Sequence, residues 1–145
     1  MPDTSTIYLP VSTAIHVRAF TNAGFTQKVT ITQENGTVTT LEGSGERDHP
    51  MPNGDFWFNT PASTNSPLGY KVTIEVQSYY NNAWQPSQVS SASCGVMYYS
   101  LAMVVSEDYV DNDWNDGVVQ FTWWTPPTSR NPEDHYLRAG KPIPK

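Results

Sequence analysis

Proline and glycine break this chain so often that no stretch is left for several turns of helix: 12 Pro and 9 Gly punctuate 145 residues. Nowhere do apolar residues recur at three-and-four spacing. What remains alternates. In Ile15-His16-Val17-Arg18-Ala19-Phe20, Ile15, Val17 and Ala19 share one face, and His16 and Arg18 share the other. Val29 to Glu34 and Thr37 to Leu41 flank Asn35-Gly36, a pair that tolerates the positive φ of a type I′ turn, so a hairpin is expected there. Tyr70 to Gln77 alternates over eight residues, and Asn81-Asn82 supplies a turn before the run from Ala83 to Val89. Residues 43–69, rich in Gly, Pro, Ser and Asn, are expected to be long loops around one short strand, Phe56-Trp57-Phe58. Runs from Val96 to Val105 and from Val118 to Trp124 complete the pattern. The expected fold is all-β, an antiparallel β-sandwich of jelly-roll or Greek-key type with about nine short strands.

A chain of this length makes one ordinary domain. It is expected to span residues 1–125, because residues 126–145 carry five prolines and no strand pattern and read as a proline-rich C-terminal extension. Eight Lys and Arg are scattered from Arg18 to Lys145 without forming a basic patch, which argues against nucleic acid and anionic membranes as partners. No apolar run approaches a membrane span, so no membrane insertion is expected. The start lacks the n- and h-regions of a signal peptide, implying cytoplasmic synthesis, with any release or cell-surface association by another route. The single cysteine, Cys94, cannot form an internal disulfide and is expected to be a buried structural residue.

The acidity is local. Net charge is −6, and five carboxylates fall within ten residues, Glu107, Asp108, Asp111, Asp113 and Asp116, with no Lys or Arg among them. Acidic runs are most often solvated loops. This one is interrupted by Tyr109, Val110 and Trp114 and gripped by apolar strands, which favours a bound hard cation. Asp111, Asp113 and Asn115 match the first three ligands of an EF-hand loop, but Asp116 stands where the turn glycine belongs and Thr122 where the bidentate Glu belongs. The surplus of carboxylates suits two Ca2+ ions better than one. Zinc and softer metals would favour Cys and His. A glycosidase would need one carboxyl kept protonated, which a metal-binding polyacid loop opposes, and no nucleophile motif is present. The histidines, His16, His49 and His135, are far apart in sequence, and the aromatics are expected to be packing residues.

Ser106 to Val119 closely resembles the calcium-binding loop of the two-calcium, fucose- and mannose-binding soluble bacterial lectins, the LecB-like family. Ile7-Tyr8-Leu9-Pro10, Val17 to Asn22 and Thr26 to Val29 are similar to that family's N-terminal strands and the loop carrying its distant calcium ligand. The resemblance covers residues 7 to about 124 and is loosest over residues 43–69. It implies Ca2+ ligation by Asn22, Glu107, Asp111, Asp113, Asn115 and Asp116. Asp108 would accept a hydrogen bond from a sugar hydroxyl, and Glu107, Asp111, Asp113 and Asp116 would also contact the sugar. Residues 23–25 tune specificity in the family. By that resemblance Ala23 and Gly24 would contact the sugar, the small apolar Ala23 implies mannose over fucose, and Phe25 has no obvious family counterpart. Family members end in a glycine whose carboxylate reaches a neighbouring subunit's calcium. Here the chain runs on past Pro126, so Glu133, Asp134, the Lys145 carboxylate or water would have to substitute. The resemblance thus implies a non-enzymatic, calcium-dependent lectin for mannose- or fucose-containing glycans, acting as a homo-oligomer, dimer or tetramer. The rival is a calcium-stabilised adhesion or structural sandwich that binds a protein.

Overall fold

A computed structural model describes residues 4–108 and 114–125. Asp111, Asp113 and the expected extension over residues 126–145 lie outside them. The described residues form eight antiparallel strands: β1 (Thr4–Leu9), β2 (Ala14–Gln33), β3 (Val38–Asn59), β4 (Tyr70–Tyr80), β5 (Ala83–Pro86), β6 (Gln88–Val96), β7 (Tyr99–Glu107) and β8 (Gly117–Trp124). They contain no helix long and apolar enough to cross a membrane. The all-β architecture is the expected one, but two strands are far longer than expected, with β2 spanning 20 residues and β3 spanning 22.

The long β2 explains the shape. Its first part, His16 to Thr21, pairs with β8, and its last part, Gln27 to Gln33, pairs with β4. One strand therefore belongs to both halves of the path β1-β4-β2-β8-β7-β6, with β3 alongside β2 and β5 alongside β4. The two ends of the path come together where Ser5 Oγ donates to Ser91 Oγ at 2.6 Å, joining β1 to β6. Between Thr21 and Gln27, β2 has left β8 and not yet joined β4. That short interval carries Asn22, Ala23, Gly24 and Phe25.

Alternation translates directly into burial. Ile15, Val17 and Ala19 of β2 are buried, as are Val72, Ile74 and Val76 of β4, Val104 of β7, and Val119 and Phe121 of β8. Phe121 is fully buried. Truncating such a ring removes its transfer free energy and leaves a cavity, so Phe121→Ala is expected to cost about 3–5 kcal/mol of unfolding free energy in urea titrations.

Three local expectations are corrected. Phe56-Trp57-Phe58 is strand as expected, but residues 43–55 before it are strand too rather than loop, because Gly45, Arg47, Asp48 and Asn53 adopt positive φ and form bulges that absorb the irregular residues while pairing with β2 continues. At Asn35-Gly36 only Gly36 has positive φ (+92°), and its N–H bonds Gln33 O at 2.9 Å, so the hairpin is real but its turn is not type I′. The type I′ signature, two successive positive φ values, occurs instead at Asn81 and Asn82 (53° and 62°). Cys94 is exposed on β6 rather than buried, because the outer part of that strand, Ser90 to Val96, is exposed throughout.

Candidate functional site

The acidic segment begins at the last residue of β7 and ends where β8 starts. Its two roots are held together by Ser106, which is fully buried: the Gly117 N–H donates to Ser106 Oγ at 2.8 Å, and the Asp116 N–H donates to Ser106 O at 3.1 Å. A β-carbon at residue 117 would stand 2.8 Å from that hydroxyl oxygen, so any larger residue there would have to displace the Ser106 hydroxyl that ties the two roots.

On this base the carboxylates of Glu107, Asp108 and Asp116 each bring an oxygen within 4.8 Å of the others. Glu107 and Asp116 are only 2% and 3% exposed. A single backbone donor aims both, since the Asp108 N–H lies 2.9 Å from Glu107 Oε1 and 2.8 Å from Asp116 Oδ2. Trp114 takes a φ of +57°, unusual for a non-glycine residue, and its N–H reaches Glu107 Oε2 at 3.3 Å. Among the described residues no ion pair involves Glu107 or Asp116.

Buried anions this close cannot all ionise cheaply. Burial is the main cause that pushes the Asp116 carboxyl up to about 8, helped by the hydrogen bond to Glu107 and the negative charges of Asp108 and Glu107, and opposed by the Asp108 N–H. A divalent cation would reverse that balance. Beside the cluster, Asn115 Oδ1 is buried and has no hydrogen-bond partner among the described residues, which leaves it a desolvated acceptor. Carboxylates together with an orphaned amide oxygen form an all-oxygen donor set, which fits a hard cation such as Ca2+.

Asn22, ninety-three residues from Asn115 in sequence, is brought to the same place. Its N–H donates to Asp116 O at 3.0 Å and its Nδ2 donates to Asn115 O at 3.1 Å. Its side chain is also clasped by Asp48, through Nδ2 to Asp48 Oδ1 at 2.9 Å and through the Asp48 N–H to Asn22 Oδ1 at 2.6 Å. The structure thus gathers Asn22, Glu107, Asp108, Asn115 and Asp116, with Ala23 and Gly24 next along β2. Asp48, Ser106 and Gln27 were not foreseen. Asp48 holds the Asn22 side chain through its own carboxylate and N–H, Ser106 holds the backbone of Asp116 and Gly117 through its carbonyl and hydroxyl oxygens, and no local sequence signal marks either. Gln27 is fully buried; its Nε2 donates to Phe25 O at 3.1 Å, and its Oε1 accepts from Ser78 Oγ at 3.0 Å.

A wider cavity, about 480 Å³, opens at the opposite end of β8, lined by His16, Trp57, Tyr99, Thr122, Trp123 and Trp124 among others. His16 there stacks on Trp57 with ring centroids 4.4 Å apart and bonds Asp55 at 2.6 Å. That cavity holds no carboxylate cluster, so the acidic end remains the better candidate.

Residues 7–125 match the family model described as fucose-binding lectin II (PA-IIL). Among curated proteins, none matches the chain. Several solved structures do. A high-affinity mannose-binding lectin of Ralstonia solanacearum is 30% identical, with 83% of this chain and 96% of that one covered and a TM-score of 0.64. The Chromobacterium violaceum lectin CV2L, solved in complex with alpha-methyl-fucoside, is 26% identical over 83% of this chain and 96% of its own, with a TM-score of 0.63. The C-terminal domain of the Burkholderia cenocepacia lectin BC2L-C shares the fold at 24% identity, covering 88% of this chain and 100% of that domain, with a TM-score of 0.61.

Proposed function

Because the chain belongs to the fucose-binding lectin II (PA-IIL) family, we propose that its carbohydrate binding is calcium-dependent and centred on the acidic end of β7 and β8. The observation that carries this reading is the buried Glu107–Asp116 pair beside the orphaned Asn115 oxygen. Glu107, Asp111, Asp113, Asn115 and Asp116 would hold two Ca2+ ions together with Asn22. The Asn22 side chain is already engaged by Asp48 and Asn115, so its main-chain carbonyl is the group by which it would take part. Bound Ca2+ supplies coordination positions that the vicinal hydroxyls of one sugar can fill.

The protein's own contribution is preorganisation. The Asp108 and Trp114 amides fix the Glu107 and Asp116 carboxylates before any ligand arrives, and a site built on strand ends loses little freedom on binding. The Asp108 carboxylate then accepts a hydroxyl proton in a charge-assisted hydrogen bond, as Glu107, Asp111, Asp113 and Asp116 do from the hydroxyls nearest them. Ala23 and Gly24 border the sugar with little bulk and no hydroxyl, which favours mannose-type sugars over fucose.

The lectin is non-catalytic in this reading. A carboxyl raised to about 8 could suggest a general acid, but the Asp116 proton is shared with Glu107 within a buried pair and is not presented to a leaving group. Multivalent presentation by a homo-oligomer would turn modest single-site affinity into avidity.

The test is retention on immobilised mannose in calcium buffer. Retention released by EDTA, with methyl mannoside bound more tightly than fucose in calorimetry, is the expected result. A clear fucose preference would overturn the role given to Ala23. Retention that EDTA leaves intact would overturn the role of calcium, and calcium uptake without sugar binding would favour the adhesion module.

A further inference from the structure

Asp108 borders a second feature. A hollow of about 40 Å³ lies against it, walled by Phe25, Tyr80, Gln85 and Pro86, with Ser78 and Ser87 at its floor. Phe25 and Tyr80 meet edge to face, with centroids 5.1 Å apart and an interplanar angle of 73°, yet remain 39% and 45% exposed. Two aromatic rings left half in water beside a polar binding site are underused as packing residues.

The pair is also rigidly mounted. Gln27 Nε2 donates to Phe25 O at 3.1 Å, Ser78 Oγ donates to Gln27 Oε1 at 3.0 Å, and Ser78 Oγ and Ser87 Oγ share a hydrogen bond of 3.0 Å. Gln27, Ser78 and Ser87 are all buried. Tyr80 is fixed by the tight turn at Asn81-Asn82, which pairs it with Ala83. A fully satisfied buried network of this kind fixes one geometry. It holds the backbone of Phe25 just after Asn22, Ala23 and Gly24.

We propose that Phe25 and Tyr80 form an aromatic wall that contacts the group attached to the bound sugar, so that the site selects glycosides carrying an apolar or aromatic aglycone over simple methyl glycosides. This rests on the reading of the acidic end as the sugar site, with which the wall is continuous through Asp108. The hollow is too small to enclose a ring. Contact is therefore made against the exposed rings, as an offset or edge-on aromatic pair worth about three- to tenfold in affinity.

The experiment is calorimetric titration of the full chain in calcium buffer with the methyl and 4-nitrophenyl α-glycosides of mannose and of fucose. The reading is the ratio of aryl to methyl affinity within each protein. The wild-type chain is expected to bind the aryl glycoside about three- to tenfold more tightly. In Phe25→Ala, and independently in Tyr80→Ser, that ratio is expected to fall to near one, while Trp57→Ala at the far end keeps the wild-type ratio. Two variants guard against one that fails to fold. A wild-type ratio of one, or a ratio that survives both substitutions, overturns the aromatic wall and leaves the sugar site standing. Failure of the wild-type chain to bind any of the glycosides overturns the sugar site itself.

Discussion

Glu107→Gln is expected to abolish calcium-dependent sugar binding while leaving the metal-free fold as stable as the wild type or more so. The two effects separate because Glu107 is a liability without a cation. It sits 2% exposed, with an oxygen within 4.8 Å of oxygens of Asp108 and Asp116, and its charge helps raise the Asp116 carboxyl. Removing that charge relieves repulsion in the empty site but removes a ligand from the loaded one. In the wild-type chain, a ligand present at a hundred times its Kd adds about 2.7 kcal/mol of stability per site. For a domain of this size that is a rise in Tm of roughly 10 °C. Differential scanning fluorimetry with calcium and with EDTA should show the rise in the wild-type chain and none in Glu107→Gln, and sugar affinity should fall more than about a hundredfold. A variant that keeps the calcium-induced rise would remove Glu107 from the ligand set.

The second large effect is a reversal of pH dependence by calcium. The Asp116 carboxyl is raised to about 8 in the folded, metal-free chain, whereas an unfolded Asp titrates near 3.9. Between those values the folded state holds a proton that the unfolded state has lost. Stability therefore falls as pH rises through this window and levels off above about 8, by up to about 1.4 kcal/mol per pH unit. Metal binding has the opposite dependence, because ligands must be deprotonated. The EDTA-treated protein should lose Tm steadily from pH 5 to 8, and the gap between calcium and EDTA curves should widen over the same range. A flat or rising Tm in EDTA would show that Asp116 does not carry the shared proton.

Much of the fold was legible because alternation and burial are the same fact seen twice. The apolar face of Ile15, Val17 and Ala19 could be read from period two alone, as could the buried set of β4. Residues 43–55 defeated that reading. Their Gly, Pro and Asn content signals loop, and what makes them strand is the partner, since β2 lies alongside and bulges at positive-φ residues keep the ladder in step. Local propensity carries no information about a partner. The turn at Asn35-Gly36 shows the same limit, because a dipeptide that permits type I′ geometry does not oblige it.

At the site, Glu107, Asp108 and Asp116 stood out through charge density, and the structure brings all three together. Asn22 became a candidate only through resemblance to a family, since no local pattern marks one asparagine in a strand. Its clasp to Asp48 was invisible for a physical reason: the two meet only after β3 folds back along β2. Asp111 and Asp113, the centre of the acidic run, lie outside the described residues. The Gln27, Ser78 and Ser87 network was equally hidden, being three polar residues that alternation assigns to a buried face without saying that they satisfy one another.

The position of Cys94 bears on how this molecule can be handled. It is the sole thiol of the chain, is exposed, and pairs in register with Leu101, six residues along β7 from Glu107. At the rise of a strand that is about 20 Å from the carboxylates. A fluorophore or a gold surface coupled there would leave the carboxylate end pointing outward, giving every tethered copy the same orientation toward a glycan-coated partner.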